Sequence, residues 1–167
     1  MPYRAPTDEF RFILEHVVKF PEVAATRRFA DATQETVGAI LAEAAKLADG
    51  VLAPLQRVGD AAGAVLEGGS VRTPPGFREA YAEIAKGGWV GLAGDPGFGG
   101  MGLPFTIAAA VNDMISGALL ALGMNPLLTQ SQIKALETHA SDELQALYLP
   151  KLISGEWTGT MNLTEPQ

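Results

Sequence analysis

The sequence predicts a mostly α-helical bundle, and three observations carry the prediction. Apolar residues recur at helical spacing through a first long stretch, with Val37, Ile40, Leu41, Ala44, Ala45, Leu47, Ala48, Val51, Leu52 and Leu55, and residues 105–122 form a second long apolar run. Capping residues and Gly/Pro breakers bracket these stretches at helix lengths. Strand-like patterning is confined to residues 64–72 and to the segment after Glu156. Helices of this kind are stable when their apolar stripes face one another, which makes a bundle.

The elements follow in chain order. Thr7 or Asp8 caps a short helix to about Lys19, with Phe10, Phe12, Ile13, Leu14, Val17 and Val18 as its stripe, and Pro21 ends it. A short amphipathic segment, Glu22 to Arg28, follows. Thr33 begins the longer helix, whose second half Gly50 and Pro54 kink or end. Ala64-Val-Leu66 and Ser70-Val-Arg72 flank Glu67-Gly-Gly69 as a small hairpin. Thr73-Pro-Pro-Gly76 starts a helix over Phe77 to Lys86, and Gly87-Gly88 stops it. Trp89 to Ala93 is short and apolar, and Asp95 to Pro104 is a glycine-rich loop. A long apolar helix runs from Phe105 to Leu122, with a break near Gly123. Asn125-Pro126 opens the next helix to about Thr138, and Ser141-Asp142-Glu143 opens another to Leu149. Pro150 closes that run, and Ser154-Gly155 stops the turn after it. From Glu156 onward a strand is expected, ending at Pro166, which has no N–H for a ladder.

Bulk properties narrow the function. Hydrophobic residues make up 47% and charged residues 19%, which fits a packed domain and not a disordered chain. No cysteine is present, so disulfides, thiolate catalysis and cysteine zinc sites are excluded, in keeping with a reducing cytoplasm. A net charge of −7 argues against nucleic acid as a partner, since phosphate binding needs clustered Lys and Arg. The amino terminus lacks a secretory h-region, and no apolar run reads as long enough to span a bilayer. His16 and His139 have no carboxylate partner at metal-ligand spacing, so no metal site is expected. The loop contains a literal G-x-G-x-x-G in Gly97, Gly99 and Gly102, but no adequate strand precedes it and no βαβ unit surrounds it; a glycine-rich turn between helices is the preferred reading over a phosphate cradle.

Several motifs converge on one resemblance. Tyr148-Leu-Pro-Lys-Leu152, Ser154-Gly-Glu156 and Thr164-Glu-Pro166 occur in that order, after Gly87-Gly-Trp-Val-Gly-Leu92 and Asp95-Pro-Gly-Phe-Gly-Gly-Met-Gly-Leu-Pro104. This set resembles the acyl-CoA dehydrogenase family, flavoenzymes that desaturate acyl-CoA thioesters between Cα and Cβ. Gly97 and Phe98 depart from that family's usual acidic residue and tyrosine. Pro2 to Pro6 with Phe10 to Leu14, Ala53 to Asp60 and Thr73 to Tyr81 look like the 3-methylmercaptopropionyl-CoA dehydrogenase subgroup.

The resemblance carries expectations. It implies an amino-terminal helical extension over residues 1–32, the family's amino-terminal helical domain over residues 33–155, and the start of a β-domain over residues 156–167. The whole would be the amino-terminal portion of a longer FAD enzyme, with acyl-CoA as substrate, electron-transfer flavoprotein as partner, and a homodimer or homotetramer as its assembly. Met161, Leu163 and Thr164 would lie against the flavin; Trp157 would be core at the domain junction. Met124, Leu127, Leu128 and Ser131 would line the acyl pocket, although each taken singly reads equally well as bundle core. The catalytic glutamate belongs to the family's carboxy-terminal bundle, so no catalytic residue is expected in this chain, and Glu165 reads as structural. A flavin-dependent acyl-CoA oxidase and a non-catalytic helical interaction module stand as the other readings.

Overall fold

The computed structural model describes residues 3–162, and α-helices dominate them. Helix α1 (Thr7–Phe12) widens into a π-turn (Ile13–Val17), and Lys19, at φ 54°, redirects the chain into α2 (Phe20–Ala24). The helix expected through Lys19 is therefore interrupted, and Pro21 opens α2, where its missing N–H has no helical partner to lose. Phe10, Leu14 and Phe20 are the buried side chains of this extension.

Helix α3 (Gln34–Leu47) starts where the sequence says, with Thr33 Oγ1 accepting the Thr36 N–H at 3.1 Å. Val37, Leu41, Ala44 and Leu47 are its buried face. A π-turn (Ala48–Leu52) follows, and the chain breaks at Ala53-Pro54 before α4 (Leu55–Ala62). Strands β1 (Val65–Glu67) and β2 (Ser70–Arg72) form the expected antiparallel hairpin, turned through Gly68 and Gly69, which both hold positive φ. All six strand residues are exposed. Helix α5 (Phe77–Lys86) buries Phe77, Ala80 and Ile84 and stops at Gly87-Gly88.

Helix α6 (Phe105–His139) is continuous in hydrogen-bonding pattern but not in direction. Leu119 leaves helical geometry, at φ −155° and ψ 78°. Asn112 Nδ2 donates to Gln130 Oε1 at 2.6 Å, although a straight helix would separate residues 18 apart by about 27 Å. A Cβ on Gly123 would stand 3.3 Å from Ser116 Cα. Both contacts require a hairpin of two arms, residues 105–118 and 120–139, folded at Leu119. The break expected near Gly123 lies four residues earlier, and Gly123 instead permits close approach of the arms. Pro126 is buried within the second arm and does not start it. By length and composition the 35-residue helix would suffice for a membrane span, contrary to the sequence reading; in the fold it is doubled back and its most apolar stretch is half buried against the bundle.

Helix α7 (Asp142–Ile153) runs through Pro150, which the sequence reading places at its end. Pro150 is exposed and offers no N–H to the Ala146 carbonyl, and the last turn is held by Ser154 N–H to the Pro150 carbonyl at 3.1 Å. The strand expected from Glu156 does not form over residues 156–162. A strand needs a ladder partner, and among the described residues the only strands are β1 and β2. Gly159 of this segment lies instead against the second arm of α6. The main core gathers Leu41, Ala44 and Leu52 with Ile84, Leu92, Ile107, Met114, Ile115 and Leu149.

Candidate functional site

The two arms of α6 use similar residues differently. The first arm buries Ile107, Ala108, Ala110, Val111, Met114, Ile115 and Ala118. The second buries one side, through Leu122, Pro126, Thr129 and Ile133. Its other side carries Leu120, Met124, Leu127 and Ser131 at helical spacing, with Leu120, Met124 and Leu127 exposed at 61%, 53% and 46%. A stripe of this width on an otherwise packed helix is an apolar wall facing outward.

Beside that stripe a cleft of about 360 Å³ opens between the arms and the turn at residues 90–94. Val90, Ala93, Phe105 and Leu127 give it apolar sides, and Ser131 and Lys134 reach its edge. Of the four residues expected to bind substrate, Leu127 and Ser131 line the cleft. Met124 lies on the same stripe one turn earlier, and Leu128, half-buried, sits about 40° around the helix from Met124, at the margin of the stripe. The Ser131 hydroxyl donates to the Leu127 carbonyl at 3.1 Å, so it is turned back on its own helix.

Three further cleft residues escape the sequence reading. Gln130 Nε2 donates to the Trp89 carbonyl at 3.2 Å, which ties the turn to the second arm. Glu137 accepts the Asp95 N–H at 2.9 Å and pairs with Lys134 at 3.5 Å. Their signal is the spacing of Gln130, Lys134 and Glu137, which shares one helix face with Leu127. Glu137 is thus engaged as an anchor, and the cleft supplies surface and shape.

On the far side of the same arm runs the carboxy-terminal segment. Tyr81 donates its hydroxyl to the Gly155 carbonyl at 3.0 Å, and burial raises the pKa of that phenol, so it holds its proton. Trp157 donates its N–H to the Lys151 carbonyl at 3.0 Å. Its indole is exposed and tilted against Tyr148 at 5.9 Å; the expected place in a core at the domain junction concerns a β-domain outside the described residues. The short step Ser154-Gly155 brings the indole back over α7 rather than into the bundle. Gly159 is buried and donates its N–H to Thr129 Oγ1 at 3.0 Å, and Thr129 donates onward to the Asn125 carbonyl at 3.0 Å. A side chain at Gly159 would collide with Gln132. Thr160, Met161 and Asn162 then leave the surface exposed, Met161 at 63%, and among the described residues their backbone groups pair with nothing. Leu163 and Thr164 lie outside the described residues.

Leu127 and Thr129 are about 200° apart around the helix, so cleft and ledge flank one arm. Met161 is the described member of the expected flavin contacts, and exposed backbone groups without partners among the described residues suit the polar edge of a flat heteroaromatic ring.

The glycine loop takes no part. The N–H groups of Gly97 to Leu103 are all donated within the protein: Gly97 to the Asp95 carboxylate at 2.7 Å, Gly100 to the Asp95 carbonyl, Met101 to Gly91, Gly102 to Gly94 and Leu103 to Leu92, with Phe98 and Gly99 closing the local turn. No N–H remains there to cradle a phosphate, and a Cβ on Gly100 would strike the Gly94 backbone. A larger hollow, about 550 Å³, lies between the extension and α3. Leu14, Phe20, Val37 and Leu41 line it, with Arg11 and Glu15 at its rim, and it holds none of the expected site residues.

Comparison with known proteins gives the family. The model of the acyl-CoA dehydrogenase N-terminal domain matches residues 33–156. The chain is 40% identical over 167 residues to 3-methylmercaptopropionyl-CoA dehydrogenase of Ruegeria pomeroyi, covering 100% of the chain and 28% of that protein. It is 36% identical over 124 residues to a butyryl-CoA dehydrogenase of Syntrophomonas wolfei, covering 72% of the chain and 20% of the relative. It is 27% identical over 166 residues to a broad-specificity linear acyl-CoA dehydrogenase of Mycobacterium tuberculosis, covering 98% and 27%. The chain thus spans less than a third of the length of each of these relatives.

Proposed function

Since this chain belongs to the acyl-CoA dehydrogenase family, we propose that it serves as the amino-terminal part of an FAD-dependent enzyme that oxidises an acyl-CoA thioester to the 2,3-enoyl-CoA. When bound, FAD supplies the acceptor for the β-hydrogen. The α-proton goes to a glutamate outside this chain, and the chain alone is inactive. Its own residues bind and exclude water. The ledge at Met161 carries one edge of the ring, with Leu163 and Thr164 assigned to the same edge. The wall of Leu120, Met124, Leu127 and Ser131 faces the acyl group. In water that face gains nothing from its apolar side chains; against an acyl chain and a ring it excludes solvent from the reacting carbons.

The observation that carries this reading is the pairing, on one helix arm, of an outward apolar wall with an exposed ledge whose backbone groups have no partner among the described residues. A thioether acyl chain such as 3-methylmercaptopropionyl is the first substrate to try, because Met124 and Leu127 offer adaptable, polarizable surface. Electron-transfer flavoprotein as acceptor, a homodimer or homotetramer as assembly and a cytoplasmic location complete the proposal.

The test is to join this segment to the rest of its reading frame, load the protein with FAD and add acyl-CoA without oxygen. Bleaching of the flavin with formation of enoyl-CoA is expected, and none from the 167 residues alone. Peroxide produced in air at the rate of turnover would assign an oxidase instead, and a full-length protein that leaves flavin and thioester unchanged would overturn the proposal.

A further inference from the structure

The amino-terminal extension reaches the corner of the α6 hairpin. Tyr3 donates its hydroxyl to the Met114 carbonyl at 3.1 Å. Its ring rests on Gly117, where an added Cβ would stand 2.9 Å from Cε2. Two residues later Leu119 departs from helical geometry, and the second arm begins. The strap is fastened at its other end as well: the Ala5 N–H donates to the Asp49 carboxylate at 2.8 Å. Asp49 belongs to the π-turn Ala48–Leu52, so the strap links α3 to the corner. Burial, and then the nearby Asp113 and Asp49 carboxylates, raise the Tyr3 pKa, so the hydroxyl remains a donor at neutral pH.

Within the two arms the ties are the Asn112–Gln130 amide bond and the close approach at Gly123. Neither fixes the corner from outside. Tyr3 does, by filling the space a side chain at Gly117 would occupy and by holding the carbonyl one turn before the bend. We propose that Tyr3 is a positioning residue that sets the angle between the α6 arms, and through it the width of the cleft bounded by Phe105 and Leu127. This rests on the proposed acyl-CoA reading only for its kinetic consequence; the coupling of the strap to the arms is independent of it.

Two measurements separate the parts. Amide hydrogen exchange on the chain compares Tyr3→Phe, which keeps the ring and loses the donor, with the parent. Exchange over residues 119–127 is expected to rise about five-fold, the factor equivalent to one ordinary hydrogen bond, with α3 unchanged. In the full-length enzyme the same substitution is expected to raise KM for acyl-CoA about five-fold with kcat within about two-fold, and Tyr3→Ala to raise KM further. A uniform rise in exchange, or a fall in active fraction with KM constant, would mean that Tyr3 only stabilises the fold and would overturn the proposal. If the parent enzyme shows no acyl-CoA turnover, the functional reading fails while exchange still decides the role of Tyr3.

Discussion

The two arms of α6 are a natural experiment in what an apolar helix is for. Both are apolar, the first through Ala, Ile, Val and Met and the second mainly through Leu, and both derive from one unbroken stretch of sequence. The arm at residues 105–118 spends that composition on the core, whereas the arm at residues 120–139 buries one side and turns the other outward. Periodicity alone cannot tell these apart, because each shows the same spacing. The difference comes from what packs alongside: the first arm is buried on most of its residues, whereas the second is tied to Trp89 through Gln130, to Asp95 through Glu137 and to Gly159 through Thr129, and its Leu120–Met124–Leu127 side is left outward. An apolar face that the fold leaves uncovered is the better candidate for binding.

The sharpest test of that contrast is truncation in each arm. Met114→Ala is expected to lower stability by about 3 kcal/mol, since the side chain is fully buried and a cavity remains, while Leu127→Ala changes stability by less than about 0.5 kcal/mol. Urea unfolding of both variants checks it, and equal losses would erase the distinction between the arms. Next comes Thr129, the buried polar residue that binds the ledge to the second arm. Thr129→Val removes the acceptor of the Gly159 N–H, so about 2 kcal/mol should be lost and Thr129→Ser should restore most of it. Failure of Ser to rescue would assign the loss to packing. In the full-length enzyme Leu127→Ala should raise KM about five-fold, as expected from roughly 1 kcal/mol of lost apolar contact, and Ile133→Val on the buried side should leave KM unchanged.

The smallest effect is on pH. Tyr3 and Tyr81 both titrate above the ordinary 10.0 in the folded chain, Tyr3 through burial and two carboxylates, Tyr81 through burial. Their contribution is complete below about pH 10, where both states are protonated, and is lost as pH rises through the folded values, because the unfolded chain releases those protons first. The urea midpoint should therefore fall as the pH rises above about 10, and less so in Tyr3→Phe with Tyr81→Phe, a difference absent at pH 7.

What the sequence makes legible is local. Thr33 declares a helix start, Gly68-Gly69 a hairpin turn and Gly87-Gly88 a stop, because each rests on chemistry within a few residues. The family resemblance is legible for a related reason, as its motifs sit in connections and caps. The bend at Leu119 is not legible, since leucine carries no breaker signature and the force that folds the arms is contact between Ser116 and Gly123 and between Asn112 and Gln130. Pro150 misleads because it lies in the last turn and a half of α7, where the lost hydrogen bond and the crowding of the Ala146 carbonyl are borne by a helix that ends at Ile153. The strand after Glu156 misleads because β-pattern describes what a segment does beside a partner, and residues 156–162 have none among the described residues. Of the residues expected at the acyl pocket, Leu127 and Ser131 line the cleft and Met124 and Leu128 do not; Gln130, Lys134 and Glu137 go unnoticed because polar residues on a helix read as solvated surface.

The hairpin of β1 and β2 has a use of its own. Every residue from Asp60 to Thr73 is solvent-exposed, and its turn is two glycines that no neighbour crowds. That makes it the natural seam of the chain: a dye, an epitope or a protease recognition sequence spliced between Gly68 and Gly69 would stand clear of both the cleft and the ledge, giving a handle on the molecule that does not interfere with what it holds.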